Sequence, residues 1–185
     1  MLKCLEKIND AWFYVILDDS NRVLSCGFSV ESEEDATKSI LSSDPSSETC
    51  SNEYALSILD SMGQIYNGKD ASVAPELAWE RLLPFYTKAL KLTFLIPKGM
   101  VATYGGIAEG VGDPKAARAV GNAEASNPFA PFVPCHRVIS SSLGLGGYGG
   151  SLDVKKALLI KEGIIFDQNR VVRECVWMPK TGELL

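Results

Sequence analysis

The sequence predicts an α+β protein: a small N-terminal α/β domain over residues 1–74, then a mostly helical domain over 75–185 that contains a helix-turn-helix. Three observations predict it. Two aromatic and β-branched runs flank a turn near the start of the chain. Apolar residues then recur at helical spacing. Further on, two short helical stretches are joined by a glycine-rich turn.

Taken in order, Trp12-Phe13-Tyr14-Val15-Ile16-Leu17 reads as a strand, Asp18-Asp19-Ser20-Asn21 as a turn, and Arg22-Val23-Leu24-Ser25-Cys26-Gly27-Phe28 as the returning strand. Residues 31–53 are rich in Ser, Glu and Asp and read as a short helix and a mobile connection. Ala55, Leu59, Met62 and Tyr66 share a helical face that ends by Gly68. A linker follows near Asp70 to Pro75. Pro84 is expected to stop one helix, and Phe85, Lys88, Leu92 and Ile96 to continue in another until Pro97-Lys98-Gly99. Val101-Ala102-Thr103 reads as extended. The first helix of the helix-turn-helix is Tyr104-Gly105-Gly106-Ile107-Ala108-Glu109, and its turn is Gly110-Val111-Gly112. Asp113 suits an N-cap and Pro114 a first helical position, so the second helix is expected over 115–123. Prolines 128, 131 and 134 keep the next stretch extended. Ser151 is a candidate N-cap for a last helix, Leu152 to Glu162, closed by Gly163.

The 185 residues are 46% hydrophobic and 22% charged, enough to bury a core. No apolar run is long enough to span a bilayer, and the N-terminus lacks a signal-peptide pattern. The expectation is a soluble intracellular protein of the cytoplasm or nucleoid, or of the nucleus in a eukaryote. Cys4, Cys26, Cys50, Cys135 and Cys175 form no C-x-x-C pair, so neither a disulfide framework nor a zinc knuckle is signalled, and packing roles are expected for those of the N-terminal half. With one histidine, a His-based metal site is not expected. The net charge of −5 is unevenly placed. Residues 1–87 hold 15 acidic and 6 basic side chains, whereas residues 88–162 hold 9 basic and 5 acidic. Only the back half is therefore suited to a polyanion.

The chemistry gathers around Pro134-Cys135-His136-Arg137-Val138. His136 is the one side chain whose ordinary pKa is near neutrality, and it adjoins a thiol. Cys135 is therefore either a nucleophile with a base beside it or a small buried hydrophobe. On an extended backbone the two side chains would point to opposite faces, so a relay through water or a local bend is required. Glu162 lies four and three residues after Leu158 and Leu159, on the apolar side of its helix. It is either the solvated end of that helix or a buried acid that orients His136. In the 115–123 helix, Ala116, Ala117, Ala119, Gly121 and Ala123 are small, and Arg118 points opposite Val120. Such a helix either approaches another molecule closely or packs inside the protein.

Together these residues closely resemble the O6-alkylguanine-DNA alkyltransferase family. The resemblance is carried by Thr103-Tyr104-Gly105, Lys115-Ala116-Ala117-Arg118-Ala119-Val120-Gly121, Asn127-Pro128, Pro134-Cys135-His136-Arg137-Val138, Gly147-Tyr148-Gly149-Gly150, Lys155 and Glu162-Gly163. It runs from about Phe85 to Gly163.

The resemblance implies a DNA repair protein that transfers an alkyl group from O6 of guanine irreversibly to Cys135, without metal or organic cofactor. It implies that His136 acts as base through a water, that Glu162 orients His136, and that Asn127 braces the loop around the site. Tyr104 would press on the phosphate beside the target, and Arg118 would enter the stack in place of the flipped base. Lys115, Ala116, Ala117, Ala119 and Gly121 would meet the minor groove of double-stranded DNA. Val138, Tyr148 and the backbone of Gly146, Gly147, Gly149 and Gly150 would wall the guanine pocket. A monomer is expected. Glu124 and Ala125 stand where family members often turn a large apolar or basic residue toward DNA, and Gly149 replaces a frequent hydroxyl residue. Two other functions compete with this one. A lesion-binding protein without catalysis would carry another residue at position 135, and a cysteine hydrolase would not need the helix-turn-helix.

Overall fold

The structure, a computed structural model, describes residues 1–38 and 52–179. The expected mobile connection lies largely outside the described residues. Mixed helices and sheets give an α+β fold. The chain forms two compact units: Met1–Ala78 with Pro128–Phe132, and Trp79–Asn127 with Val133–Leu185.

The first unit is built on an antiparallel sheet of β1 (Leu2–Ile8), β2 (Ala11–Leu17) and β3 (Val23–Ser29), in that order. Strand β1 was not expected, because Lys3, Glu6 and Lys7 break its apolar pattern. It pairs with β2 along its whole length, Leu2 opposite Leu17 and Ile8 opposite Ala11. The β2–β3 turn closes on Asp18, whose carboxylate accepts from Ser20 N, Arg22 N and Arg22 Nε at 2.9 Å each. Helix α1 (Glu33–Lys38) and helix α2 (Glu53–Tyr66) follow, α2 capped by Asn52 Oδ1 on Ala55 N. Tyr66 meets Phe13 and Phe28 with ring centroids 5.7 and 5.4 Å apart. Burying rings and aliphatic chains such as Phe13, Ile58 and Met62 contributes about 1.5–3 kcal/mol each. Residues 128–132 return to this unit: Cys26 N donates to Pro128 O at 2.7 Å, and Phe129 is fully buried. Cys26 is a free, buried packing residue. Cys4, by contrast, is disulfide-bonded, which corrects the expectation of packing alone; sequence spacing does not report approach in space.

In the second unit, helix α3 (Pro84–Phe94) begins at Pro84. Pro84 was expected to end a helix; instead its missing N–H falls at a first-turn position, where none is needed. The preceding residues form only a short 3-10 turn, Trp79–Arg81. Strand β4 (Ala102–Thr103) leads straight into helix α4 (Tyr104–Gly110), whose N-cap Thr103 Oγ1 accepts from Gly106 N at 2.9 Å. Helix α5 (Ala117–Ala125) starts two residues later than expected. The cause is a turn: Asp113 Oδ1 accepts from Lys115 N, and Asp113 O accepts from Ala116 N. Lys115 and Ala116 therefore precede the helix. Val120 and Ala123 of α5 share a core with Leu92, Ile96, Ile107, Ala108 and Val138.

Strand β5 (Val138–Ile139) pairs in parallel with β4, Ala102 opposite Val138. This pairing fixes the start of the helix-turn-helix beside the Cys-His turn. Helix α6 (Leu152–Lys161) is capped by Ser151 Oγ on Val154 N, and Gly163, at φ +88°, ends it. A hairpin of β6 (Phe166–Asp167) and β7 (Arg170–Val171) follows. Trp177 N then donates to Val101 O at 2.7 Å, tying the tail to this core. Among the described residues no helix is long and apolar enough to cross a membrane.

Candidate functional site

The site begins with a proline. Pro134 has φ −82° and ψ 65°, and Cys135 N reaches back over it to Val133 O at 2.9 Å. That is an inverse γ-turn. It ends the extended run and starts one 3-10 turn, Cys135–Arg137. Of the two alternatives to a strand-like path through Cys135-His136, a relay through water and a local bend, the backbone shows the bend.

Behind that turn lies a buried polar cluster. His136 Nε2 and Glu162 Oε1 are 2.9 Å apart. Arg137 donates from Nε to Glu162 Oε2 and from Nη2 to Oε1, both at 2.8 Å, and from Nη1 to Ile96 O at 2.7 Å. Glu162, the C-cap of α6, is buried rather than solvated. Burial alone would push its carboxyl up, but hydrogen bonds from His136 and Arg137, and the charge of Arg137, outweigh it and bring the pKa down to about 2. Burial also holds His136 below its ordinary value, so at neutral pH the imidazole is uncharged and donates its Nε2–H to a carboxylate. That leaves Nδ1 as an acceptor.

In front of the turn is a cavity of about 760 Å³, lined among others by Tyr104, Arg118, Glu124, Cys135, Tyr148 and Gly149. Cys135 lines this cavity and is a free, half-buried residue. Burial, then the nearby Glu124, push its pKa up to about 11, against a hydrogen bond from the Asn127 side chain. Asn127 Nδ2 also donates to Val133 O at 2.9 Å, which ties the end of α5 to the γ-turn. Tyr104 donates from its hydroxyl to Gly147 O at 3.0 Å.

Lys155, fully buried on α6, donates to Val138 O at 2.7 Å and Gly147 O at 2.9 Å and lies 5.9 and 5.8 Å from the rings of Tyr104 and Tyr148. Burial lowers its pKa to about 8. Among the described residues no group of three or more His, Cys, Asp or Glu side chains could hold a metal ion.

Residues 84–164, which contain this whole arrangement, match the family model described as the DNA-binding domain of 6-O-methylguanine DNA methyltransferase. This segment belongs to that domain family. A methylated-DNA–protein-cysteine methyltransferase of Methanosarcina acetivorans is 54% identical over 68 residues, 37% of this chain and 44% of that relative's length. The chain thus matches less than half the length of such curated relatives. Two solved structures resemble more of it. The Mycobacterium tuberculosis OGT in complex with DNA superposes with a TM-score of 0.68 at 28% identity, covering 86% of this chain and 91% of that one. The O6-methylguanine-DNA methyltransferase of Pyrococcus kodakaraensis gives 0.69 at 28%, covering 88% and 100%.

Within the matched segment, the cavity gathers Tyr104, Ala117, Arg118, Gly121, Cys135, Gly147, Tyr148 and Gly149. Arg118 is exposed, in the first turn of α5. His136 and Glu162 meet each other in the buried cluster, outside the cavity lining. Val138 sits with its side chain in the core and offers its carbonyl to Lys155. Gly146 lies beside the cavity with φ +71°, where a Cβ would come within 2.8 Å of the Tyr104 ring.

Ala119, Gly150 and Lys115 are not among the lining residues. Sequence reasoning missed Arg137 as the second partner of Glu162. Glu124, at a position where the resemblance implied a residue turned toward DNA, is buried in the cavity wall against Thr93. The signal for Lys155 was readable, since it shares a helical face with Leu158 and Leu159.

Proposed function

We propose that this chain repairs double-stranded DNA by moving the alkyl group of an O6-alkylated guanine onto Cys135 Sγ, once per molecule. The observation that carries this reading is a thiol on the wall of a cavity, backed by a buried His136–Glu162–Arg137 cluster and faced by an exposed arginine at the start of α5. Support also comes from the family match and from the DNA-bound solved relative.

The target O6 is hidden in the duplex, so the nucleotide must be flipped out, at about a few kcal/mol. Arg118 takes the place of the extruded base. The small residues of α5 allow close approach to the minor groove, and Tyr104 stands beside the flanking phosphate. Glycines 146 to 150, Tyr148 and the backbone of Val138 form the guanine pocket.

A resting thiol with a pKa near 11 is almost wholly protonated. Burial alone makes forming its thiolate in advance at pH 7 cost on the order of a few kcal/mol. Proton removal coupled to attack is therefore the economical route. The Sγ proton passes through a water to His136 Nδ1, while Glu162 holds Nε2–H and steadies the imidazolium. The sulfur electron pair forms the S–C bond, the C–O6 bond breaks, and its electrons go to the guanine, which takes up one proton. Lys155 favours the developing thiolate. The thioether has no hydrolytic route back, so the protein is consumed.

The test is intact-mass analysis after mixing with an O6-methylguanine duplex. The expected result is one added increment of about 14 Da, a methylene equivalent, located on Cys135 and absent in Cys135→Ser. DNA binding with no mass gain would mark a lesion-binding protein instead. Continuous turnover of acyl substrates would mark a cysteine hydrolase.

A further inference from the structure

One ionisable group of the cavity has no part in that chemistry. Glu124, on α5, lines the cavity and is only 7% exposed. Thr93 Oγ1, on α3, donates to its Oε1 at 2.6 Å. Its Oε2 is buried and has no hydrogen-bond partner among the described residues. The Thr93 bond explains how one oxygen is held; it leaves the other without a role.

Buried polar atoms in folded proteins are paired, and an unpaired one at a binding cavity points to a partner that arrives with the ligand. The surroundings narrow what that partner is. Glu124 and Cys135 line the same cavity, and a charge on Glu124 opposes ionisation of the thiol. Burial, set against the Thr93 hydrogen bond and Lys155, raises its pKa to about 8, so near pH 7 it is mostly a neutral acid able to donate and to accept. The part of the substrate that must come nearest the sulfur is the group to be transferred. A methyl or benzyl substituent leaves Oε2 unpaired; a hydroxyl satisfies it in either sense.

We propose that Glu124 is a specificity-determining residue, its Oε2 hydrogen-bonding a hydroxyl on the transferred substituent, so that the favoured substrates are O6-(hydroxyalkyl)guanines. The inference rests on the alkyl-transfer reading and refines which lesions that site accepts. The bonds made and broken are those already described; the hydroxyl is carried intact onto the sulfur adduct.

The test compares two duplexes that differ only in O6-(2-hydroxyethyl)guanine against O6-propylguanine, substituents with equal numbers of heavy atoms. Rates of Cys135 alkylation are measured by intact mass for wild type, Glu124→Gln and Glu124→Met. The ratio of the two rates is divided by the same ratio for a small-molecule thiol, which removes intrinsic reactivity. Wild type should favour hydroxyethyl by about tenfold, the worth of one strong neutral hydrogen bond. Glu124→Gln should keep most of that preference, because the amide retains both the Thr93 contact and a polar atom at the Oε2 position. Glu124→Met should bring the ratio near one.

A structural role alone would slow both substrates alike and leave the ratio unmoved, and that result overturns the proposal. A wild-type ratio near one overturns it by itself, whether or not the methionine variant folds. If neither duplex alkylates Cys135, the alkyl-transfer reading has failed first, and this inference with it.

Discussion

Replacing Arg137 by methionine probes the cluster behind the sulfur. The guanidinium spends two of its hydrogen bonds on Glu162, at 2.8 Å each, and a third on Ile96 O at 2.7 Å. Its side chain is 12% exposed and that of Glu162 only 2%. Methionine keeps most of the length but none of the charge, so the carboxylate is left with a neutral imidazole as its sole partner. Removing one member of a buried ion pair costs about 3–5 kcal/mol, far above the roughly 0–1 kcal/mol of an exposed pair. Urea unfolding at pH 7 should show a loss in that higher range.

Removing the acid as well, in Arg137→Met with Glu162→Gln, should restore part of it, because no uncompensated charge remains. The chain has a single histidine, so one imidazole signal reports the site by NMR. Burial first, and then the charges of Arg137 and Lys155, depress His136, whereas Glu162 raises it. The Arg137→Met variant should therefore titrate at higher pH than wild type. A stability loss below about 1 kcal/mol, with an unmoved imidazole signal, would refute the claim that this is a buried charge cluster.

Three more outcomes are expected. Glu162 has its carboxyl depressed from 4.5 to about 2, so its stabilisation is present above pH 4.5 and fades as the pH falls toward 2. Its full worth is about 3 kcal/mol, and urea titrations between pH 5 and 2 should find that slope in wild type and lose it in Glu162→Gln, which should also transfer alkyl groups more slowly. Arg118→Ala should cut repair of duplex DNA by about tenfold or more while changing reaction with free benzylguanine little; equal losses on both would remove its assignment to the flipped state. Gly146→Ala places a Cβ at φ +71° and within 2.8 Å of the Tyr104 ring, so thermal melting should register a loss of about 1–3 kcal/mol, and an unchanged melt would contradict the close approach.

Much of the fold could be read from local chemistry. The Asp18 turn between two apolar runs and the glycine turn before Asp113 carry their own geometry. Glu162 could be placed because Leu158 and Leu159 mark its side of the helix. The same reasoning applied to Lys155 would have found a buried cation. What escaped depended on distance. Thr93 and Glu124 are 31 residues apart, on helices whose mutual packing no local pattern reports. The bend at Cys135 depends on Pro134 adopting ψ 65°, and proline fixes φ but leaves ψ open. Strand β1 escaped for another reason: its charged side chains hide a pairing that β2 imposes from across the sheet.

The two buried glutamates show how one residue type yields opposite states. Glu162 receives two N–H groups from a guanidinium and one from an imidazole, and is held as a carboxylate. Glu124 receives one hydroxyl and has only the distant help of Lys155, and is held as an acid. Both residues are 7% exposed, and the number of partners that reach each carboxyl separates them. The charged one is bonded to His136, and in the relay proposed above its fixed negative charge would steady the imidazole as it becomes positive. The neutral one stands in the cavity wall, where a negative charge would oppose formation of the thiolate. Exchanging their states would raise the barrier at both steps, so the partners of each carboxyl matter to the proposed chemistry as much as the carboxyls themselves.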